Sequence, residues 1–491
     1  MSPDHDGVRR PLRFVVIGAG MAGILSAIKL REAGFGSVAV YEKADRLGGT
    51  WRDNTYPGIA CDIPSHLYRY SFAPNPNWTH TFAPGPEILA YLEGVAERFG
   101  VTDAIQLNTE VTRLRHDGER WQVELSNGST DQADVVIGAT GVLHHPRYPD
   151  IDGLGTFGGA CFHSARWDHS VELTGRRVGI IGTGSSAVQI VSAIIGTVGN
   201  LYLFQRTPQW ILPVPNPPID EEQRAVFRQD PASMDALRKE LAHTFETSFA
   251  NAVVDANSPQ MAFIEEMCRQ NLENSVRDPE LRERLRPDYR PACKRLVVSP
   301  DFYEAIQQPN AHLITEKILR IEPQGVRTTD GTLHELDVLV LATGFRVDQF
   351  LRPIEVTGPT GVTLEELWAQ RPYAYYSISI PGLPNLFLLN GPNGPVGNFS
   401  LIDVAELQFD YISQLIDLIA RGEARLITAT TEATERFEQA RVDAARNTVW
   451  VTGCRSWYLD DRGIPSAWPW SFDRFRAEMA APRLEDFELV R

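Results

Sequence analysis

Cysteine is scarce in this chain. The 491 residues include five cysteines, and no two of them form a CxxC pair or a spacing typical of metal ligands. In a chain of this length, such isolated cysteines predict reduced, mostly buried thiols and no metal site. The five are Cys61, Cys161, Cys268, Cys293 and Cys454.

Long hydrophobic runs and positive charge are also lacking. No apolar segment approaches bilayer length, and the first ten residues lack the apolar core of a signal peptide. The 63 acidic residues outnumber the 47 lysines and arginines, which leaves a net charge of −16. An acidic surface repels nucleic acids and anionic membranes. We therefore expect a soluble, cytoplasmic protein that binds neither.

The chain does contain two glycine-rich turns, each between a strand and a helix. The first is flanked by a buried strand over residues 12–17 and a helix over residues 24–33. Its glycines let the backbone approach a pyrophosphate, and the helix N-terminus offers unpaired N–H groups. The next strand ends at Glu42, whose carboxylate can accept both hydroxyls of a ribose. This pattern predicts a dinucleotide site, and its glycines are Gly18, Gly20 and Gly23.

The second turn follows a buried strand over residues 177–181 and precedes a helix that runs to about residue 195. Its next strand runs into Arg206 and Thr207 instead of ending in an acid. An arginine at this position favours a 2′-phosphate and therefore NADPH, although an ordinary surface arginine is the alternative. FAD at the first turn and NADPH at the second is the assignment that this difference favours. The second turn carries Gly182, Gly184 and Ala187.

The segment after the first turn lacks a redox pair. A flavoprotein disulfide reductase has two nearby cysteines in this region, whereas this chain has only Cys61. A dithiol relay is therefore excluded, and O2 is the obvious acceptor for electrons that leave a flavin. The next residue, Asp62, is by itself typical of an ordinary cap or turn.

A further motif over residues 157–168 lies between the two nucleotide turns. Taken alone, it is a loop with a satisfied histidine and a packing tryptophan. Its spacing resembles the linker fingerprint of type I Baeyer–Villiger monooxygenases, which are class B flavin-dependent monooxygenases. Related enzymes that oxidise nitrogen or sulfur usually have Tyr or Phe where this chain has Trp167. The fingerprint positions are Phe157, Gly159, His163, Trp167 and Asp168.

A second segment, from Gly48 to Asp62, resembles the other signature of that family at every fixed position. The resemblance implies that Gly49 and Trp51 contact the flavin. It also implies that Asp62 lies beside the flavin ring and holds a catalytic arginine. Both signatures are long, and together they are specific.

The resemblance also implies a reaction. In that family NADPH reduces FAD, NADP+ stays bound, and O2 adds at the flavin C4a atom to form a peroxide. The peroxide attacks a ketone carbonyl, and an ester or lactone results. Arg295 would be the cation that stabilises the peroxyanion, and Lys294 would contact the NADPH 2′-phosphate. Without the resemblance, both residues would be read as solvated surface cations.

Three later segments fit the same picture. The turn at Gly344 follows a buried strand, as in flavoproteins with two nucleotide sites, and the loop over residues 391–397 is expected close to the flavin. Trp457 lies in a segment that resembles the tail closing over the nicotinamide. The residues after Tyr458 are closer to the 4-hydroxyacetophenone monooxygenase type, which leaves the substrate class open.

The predicted fold is therefore α/β, with two Rossmann-like dinucleotide-binding domains, a helical insertion and an FAD domain that is discontinuous in sequence. Two other functions stay open: a monooxygenase that oxidises nitrogen or sulfur, and a low-turnover redox sensor that binds both nucleotides. The partners expected are a small ketone and O2, and the oligomeric state is left open. The predicted segments are 1–148 (FAD domain), 149–218 (NADPH domain), 219–290 (helical insertion), 291–341 (NADPH domain) and 342–491 (FAD domain and tail).

Overall fold

Two five-stranded parallel sheets organise the structure, a computed structural model that describes residues 10–491. The prediction that the N-terminus carries no signal peptide concerns a segment that lies largely outside these residues. Strand Phe14–Ile17 is fully buried because both faces of its sheet are covered. Phe14 and Val16 pack against helices, whereas Val15 and Ile17 pack against a smaller sheet. The first sheet has the order Leu386–Leu388, Val135–Gly138, Phe14–Ile17, Val38–Tyr41 and Ile105–Gln106.

This strand order confirms the predicted discontinuous domain. Leu386–Leu388 pairs in parallel with Val135–Gly138, although about 250 residues separate the two strands in sequence. The intervening chain forms the second sheet and the helical insertion. The second sheet has the order Ala311–Ile314, Asn200–Phe204, Arg177–Ile181, Val338–Leu341 and Ala160–His163.

Smaller sheets flank the two large ones. Antiparallel strands Val111–His116 and Trp121–Leu125 form a hairpin. It belongs to a four-stranded sheet completed by Thr130–Ala133 and Glu355–Thr357. The remaining strands are Ile318–Glu322, Gly325–Thr328 and Leu333–Glu335 in one sheet, Ile211–Leu212 with Val297–Val298, and Leu426–Ala429 with Phe487–Val490.

Helices cover the other face of the first sheet. Met21–Glu32 begins at the first glycine turn and packs against the long helix Leu401–Ala420. Ser185–Ile194 begins at the second glycine turn. The other helices outside the insertion are Thr50–Asp53, Gly85–Arg98, Phe302–Ala305, Leu364–Leu367, Thr431–Ala445 and Phe472–Met479.

The insertion is helical, as predicted, and contains five α-helices. Ion pairs across long sequence separations link it to the first domain. Arg69 Nη2 lies 3.1 Å from Asp235 Oδ1, and Arg238 binds Asp403. The insertion helices are Glu221–Gln229, Pro231–Phe245, Asn251–Val254, Pro259–Ser275 and Pro279–Leu285, with a π-helical turn at Glu246–Ala250.

The structure corrects the prediction that all five cysteines are reduced. Cys293 and Cys454 form a disulfide, with Cα atoms 6.2 Å apart. They are separated by 161 residues in sequence, so local spacing could not reveal the pair. Cys61 and Cys268 are buried free thiols, and Cys161 is an exposed one.

Candidate active site

The first glycine turn is shaped by close backbone contacts. Gly18 has φ +98°, in the left-handed region that favours glycine. A Cβ atom at Gly23 would lie 1.8 Å from the Gly18 carbonyl oxygen, so the helix can pack onto the turn only without a side chain there. Gly20 is the N-cap and provides no side-chain acceptor, which leaves the first N–H groups of the helix available to an anion.

Glu42 stands beside this turn at the end of the second strand. Its side chain is buried, and its two carboxylate oxygens accept hydrogen bonds from the N–H groups of Ala19 (2.9 Å) and Ala44 (3.0 Å). Arg52 lies 3.0 Å from the same carboxylate. These contacts hold a negative charge at the turn, where a ribose would meet it.

The second glycine turn has the same two features, close backbone contacts and a helix N-terminus without a side-chain cap. Gly182 has φ +121°, and a Cβ atom there would lie 2.2 Å from the Ala342 carbonyl oxygen. Gly184 is the N-cap of helix Ser185–Ile194 and again leaves its N-terminal N–H groups without a side-chain cap. Ala187 is buried in that helix, and the Thr207 carbonyl accepts a hydrogen bond of 2.7 Å from the Thr183 hydroxyl.

Two cations converge near the second turn. Lys294 Nζ lies 4.5 Å from the centroid of the Tyr289 ring. Burial lowers the pKa of Lys294, and the positive charge of the nearby Arg206 lowers it further. Arg206 itself is exposed. Two positive charges in the same region are a combination that suits an anionic group.

Arg295 and Asp62 meet although 233 positions separate them in sequence. Arg295 donates from Nη2 to Asp62 Oδ2, and from Nη1 to the Gly397 carbonyl at 2.6 Å. The two side chains remain 28% and 30% exposed, so neither is sealed inside the protein. Burial alone would lower the pKa of Arg295, but the Asp62 carboxylate outweighs it, and the pKa lies above the ordinary value. The guanidinium is thus permanently charged and held in one orientation.

The linker motif forms an edge of the second sheet. Ala160–His163 pairs in parallel with Val338–Leu341. A Cβ atom at Gly159 would lie 2.3 Å from the Asp337 carbonyl oxygen, so this position requires glycine. Phe157 is partly buried against the same sheet.

His163 connects this strand to the turn at Gly344. Its Nδ1 accepts from the Ala165 N–H at 3.1 Å, so Nε2 carries the proton and donates to the Gly344 carbonyl at 3.1 Å. Burial lowers the pKa of His163, which keeps the ring neutral. Trp167 packs edge-on against Phe162, with ring centroids 5.0 Å apart. Among the described contacts, the Asp168 side chain accepts hydrogen bonds only from Ser170, as in a local turn.

The remaining candidate residues fall into two groups. Gly49 faces Gly20, where a Cβ atom on Gly49 would lie 3.1 Å from the Gly20 Cα atom, and Trp51 donates to the Tyr68 hydroxyl at 3.2 Å. Trp457, in contrast, is 39% exposed and stacks on its neighbour Tyr458.

Sequence reasoning missed three buried polar residues near these elements. Asn393 and Asn398 lie in the loop after strand Leu386–Leu388, and neither side-chain amide has a hydrogen-bond partner among the described residues. Tyr458 is buried, and its hydroxyl lies against Gly397. The only sequence signal for Tyr458 was its place beside Trp457. Asn393 lies in the loop expected close to the flavin, whereas Asn398 lies just after that loop.

Residues 10–491 contain neither a candidate membrane span nor a candidate metal cluster. No helix in this range has the length and apolar composition needed to cross a membrane. No group of three or more His, Cys, Asp or Glu side chains in the same range is arranged to hold a metal ion.

The chain is similar to known proteins over nearly its full length. Residues 15–220 match the family described as pyridine nucleotide-disulphide oxidoreductase. An uncharacterised monooxygenase of Mycobacterium tuberculosis is 47% identical over 97% of this chain and 96% of its own length. A Baeyer–Villiger monooxygenase of Streptomyces coelicolor is 39% identical over 99% of this chain and 94% of its own. The crystal structure of cyclohexanone monooxygenase from Rhodococcus sp. Phi1 bound to NADP+ superposes with a TM-score of 0.87 at 31% identity, over 98% and 99% of the two chains.

Proposed function

The chain belongs to the type I Baeyer–Villiger monooxygenases, and we propose that it uses FAD, NADPH and O2 to convert a ketone into an ester or lactone. The observation that carries this proposal is the Arg295–Asp62 pair. It holds a partly exposed guanidinium in a fixed orientation, in a chain with two glycine turns suited to dinucleotides. Relatives that share nearly the full length are flavin-dependent monooxygenases.

The residues at the first turn fit FAD. The uncapped helix N-terminus at Gly20 suits a pyrophosphate, and Glu42 suits a ribose. The buried amides of Asn393 and Asn398 lack partners within the described chain, and a buried amide without a partner is costly. The polar edge of a flavin ring would satisfy both. When bound, the flavin accepts a hydride from NADPH and activates O2. Gly49, Trp51 and Gly344 line the same region in this proposal.

The residues at the second turn fit NADPH. The N–H groups at Gly184 would hold the pyrophosphate, while Arg206 and Lys294 would hold the 2′-phosphate. Gly182 and Thr207 shape the turn. Trp457 would lie over the nicotinamide, for which its exposed ring is available.

Arg295 supplies the electrostatic part of the reaction. Negative charge develops on oxygen as a ketone is oxygenated, and a fixed cation in a water-poor site stabilises that charge. Asp62 aims the guanidinium and moderates its charge during the NADPH step. Removal of one such preorganised group typically costs about 3–4 kcal/mol, or a factor of about 10²–10³ in rate.

The domain boundaries and the cellular location are proposed as well. Residues 1–148 and 342–491 would form the FAD domain with its tail, residues 149–218 and 291–341 the NADPH domain, and residues 219–290 a separate helical layer. A cytoplasmic location stays a prediction from the acidic composition.

The decisive experiment replaces Arg295 with Ala. The variant should bind FAD and be bleached by NADPH like the wild type, yet form no ester from a ketone that the wild type oxidises. Arg290→Ala is the matched control, because Arg290 lies five positions earlier and pairs with Glu265 instead (2.6 Å). Retained ester formation in Arg295→Ala would remove Arg295 from this role.

Product identity separates the two alternatives. A panel of ketones, sulfides and amines should give esters or lactones, whereas N- or S-oxides alone would favour the heteroatom-oxidising alternative. A redox sensor would show slow flavin bleaching by NADPH. Rapid bleaching with product formation excludes it.

A further inference from the structure

The tail carries a buried tyrosine directly beside the exposed tryptophan. Tyr458 is 3% exposed, whereas Trp457 is 39% exposed. The Tyr458 ring packs between those of Trp457 and Trp450, with centroids 4.1 Å and 5.4 Å away. The Trp457 side chain is therefore exposed, whereas the side chain of the next residue, Tyr458, is buried.

The hydroxyl of Tyr458 ends at the Arg295 cluster. A Cβ atom on Gly397 would lie 1.9 Å from this hydroxyl, so the phenol occupies the space that a side chain at Gly397 would need. The Gly397 carbonyl accepts the 2.6 Å hydrogen bond from Arg295 Nη1. The phenol and the guanidinium are also close enough for each to act on the pKa of the other. Tyr458, Gly397 and Arg295 thus form one contact group.

Three distant parts of the chain now surround one guanidinium. Asp62 accepts from Nη2, the Gly397 carbonyl accepts from Nη1, and the Tyr458 hydroxyl of the tail lies against Gly397. A guanidinium has five N–H donors in a rigid plane, so contacts from several directions fix its rotation as well as its position. If only Asp62 and Gly397 held the guanidinium, the tail would have no influence on the orientation of its plane.

On the basis of the proposed function, we propose that Tyr458 is a positioning residue for Arg295, through which the seated tail orients the guanidinium for oxygenation. Tyr458 acts through Arg295, without contact to the ketone. The tail is tied to the same segment by the Cys293–Cys454 disulfide, two residues before Arg295 and four before Tyr458. Tail and guanidinium are therefore ordered together.

The phenol acts as a neutral group. Burial raises the pKa of Tyr458, and the charge of Arg295 only partly offsets this effect. The hydroxyl therefore stays protonated at ordinary pH, and in this proposal its oxygen acts on the guanidinium as a neutral acceptor. The contribution of Tyr458 should be independent of pH between about 6 and 9, well below the ordinary tyrosine pKa of about 10.

Tyr458→Phe tests the role of the hydroxyl alone. FAD content, melting temperature and NADPH-driven bleaching should match the wild type. Ester formed per NADPH should fall about tenfold or more, with hydrogen peroxide in its place, because hydrogen bonds to charged groups are strong. This defect should be constant from about pH 6 to 9. Unchanged ester yield, or a defect that disappears at low pH, would overturn the proposal.

Tyr303→Phe is the matched control. Tyr303 is also buried and belongs to the same apolar cluster, but its hydroxyl has no hydrogen-bond partner among the described residues. Its ester yield should equal that of the wild type. An equal loss in both variants would mean that any buried hydroxyl in this cluster matters, and the role of Tyr458 would be refuted.

A second measurement needs no ketone and so separates this inference from the proposed function. Arg455 and Arg462 are exposed trypsin sites on either side of Tyr458. Because the Tyr458–Arg295 contact seats both partners, Tyr458→Phe and Arg295→Ala should each accelerate cleavage there, and the double variant should show no further increase. Tyr303→Phe should be cleaved like the wild type. Additive acceleration, or none, would contradict the contact even if ketones are oxidised, whereas a wild type that oxidises no ketone would refute only the proposed function.

Discussion

At the scale of single residues, Lys294 illustrates how the fold adjusts a charge. It is partly buried and faces Arg206, and both conditions disfavour its ammonium form. Its pKa is therefore lowered, and it loses its proton at a lower pH than an ordinary lysine, for which the pKa is about 10.4. A bound 2′-phosphate needs that proton. Preference for NADPH over NADH should consequently depend on pH.

We expect the ratio of the KM for NADPH to the KM for NADH to rise as the pH increases through the alkaline range. At neutral pH, Lys294 is charged and the ratio should be lowest. Steady-state kinetics with both nucleotides over a pH series measures this. In Lys294→Arg the guanidinium stays charged, and the ratio should stay flat. An alkaline rise of this ratio that persists in Lys294→Arg would mean that another group causes the rise.

Arg206→Ala should raise the KM for NADPH far more than the KM for NADH at every pH.

At the scale of elements, the tail is the segment whose attachment matters most. The Cys293–Cys454 disulfide closes a loop across 161 residues and joins the segment before Arg295 to the segment before Trp457. Closing a long loop restricts the unfolded chain, and native disulfides typically stabilise a protein by about 2–4 kcal/mol. The bond should therefore stabilise the oxidised protein.

We expect Cys454→Ser to melt at a lower temperature than the wild type without reductant, and at the same temperature with it. Thermal melting under both conditions measures this, and peptide mapping without reduction should recover the 293–454 cross-link. Cys161→Ser is the control, because Cys161 is an exposed free thiol. A wild type that melts identically with and without reductant would show that the bond is not formed in solution.

Local elements were predictable from sequence, but the contacts between distant elements were not. The glycine turns at Gly18 and Gly182 were predictable because close backbone approach demands a residue type that can be read directly. The disulfide and the Tyr458 contact were not, since each joins segments more than 60 residues apart, and only the folded chain brings them together. The meeting of Arg295 with Asp62 was available only through the family resemblance.

At the scale of the whole molecule, two segments join the two nucleotide-binding units and run side by side. We call them the connectors; one contains residues 145–148 and the other residues 344–346. The Arg147 N–H donates to the Gly344 carbonyl (2.8 Å), and the Arg346 N–H donates to the His145 carbonyl (2.9 Å). His163 contacts both connectors. Its ring lies 5.5 Å from that of Tyr148 and 5.9 Å from that of Phe345, one on each connector. Its Nε2 binds the same Gly344 carbonyl. The sequence motif therefore marks the place where the two units are joined.

This arrangement makes His163→Asn an informative change. The shorter Asn side chain can still accept from the Ala165 N–H, as a good cap residue does, but it does not reach Gly344. If His163 couples the two units, the melting temperature should stay close to that of the wild type, while turnover becomes slow or releases hydrogen peroxide instead of ester. If His163 only packs, stability and activity should fall together.

His116→Asn separates these outcomes from the general cost of altering a buried histidine. His116 is buried, and its Nδ1 accepts from the Gly118 N–H at 3.1 Å, as His163 accepts from Ala165. Its Nε2, however, has no partner among the described residues. His116→Asn should therefore leave the ester yield per NADPH unchanged. Because the two histidines share their local hydrogen bond and differ in the bond to Gly344, a loss of coupling confined to His163→Asn would trace communication between the two units to that one contact.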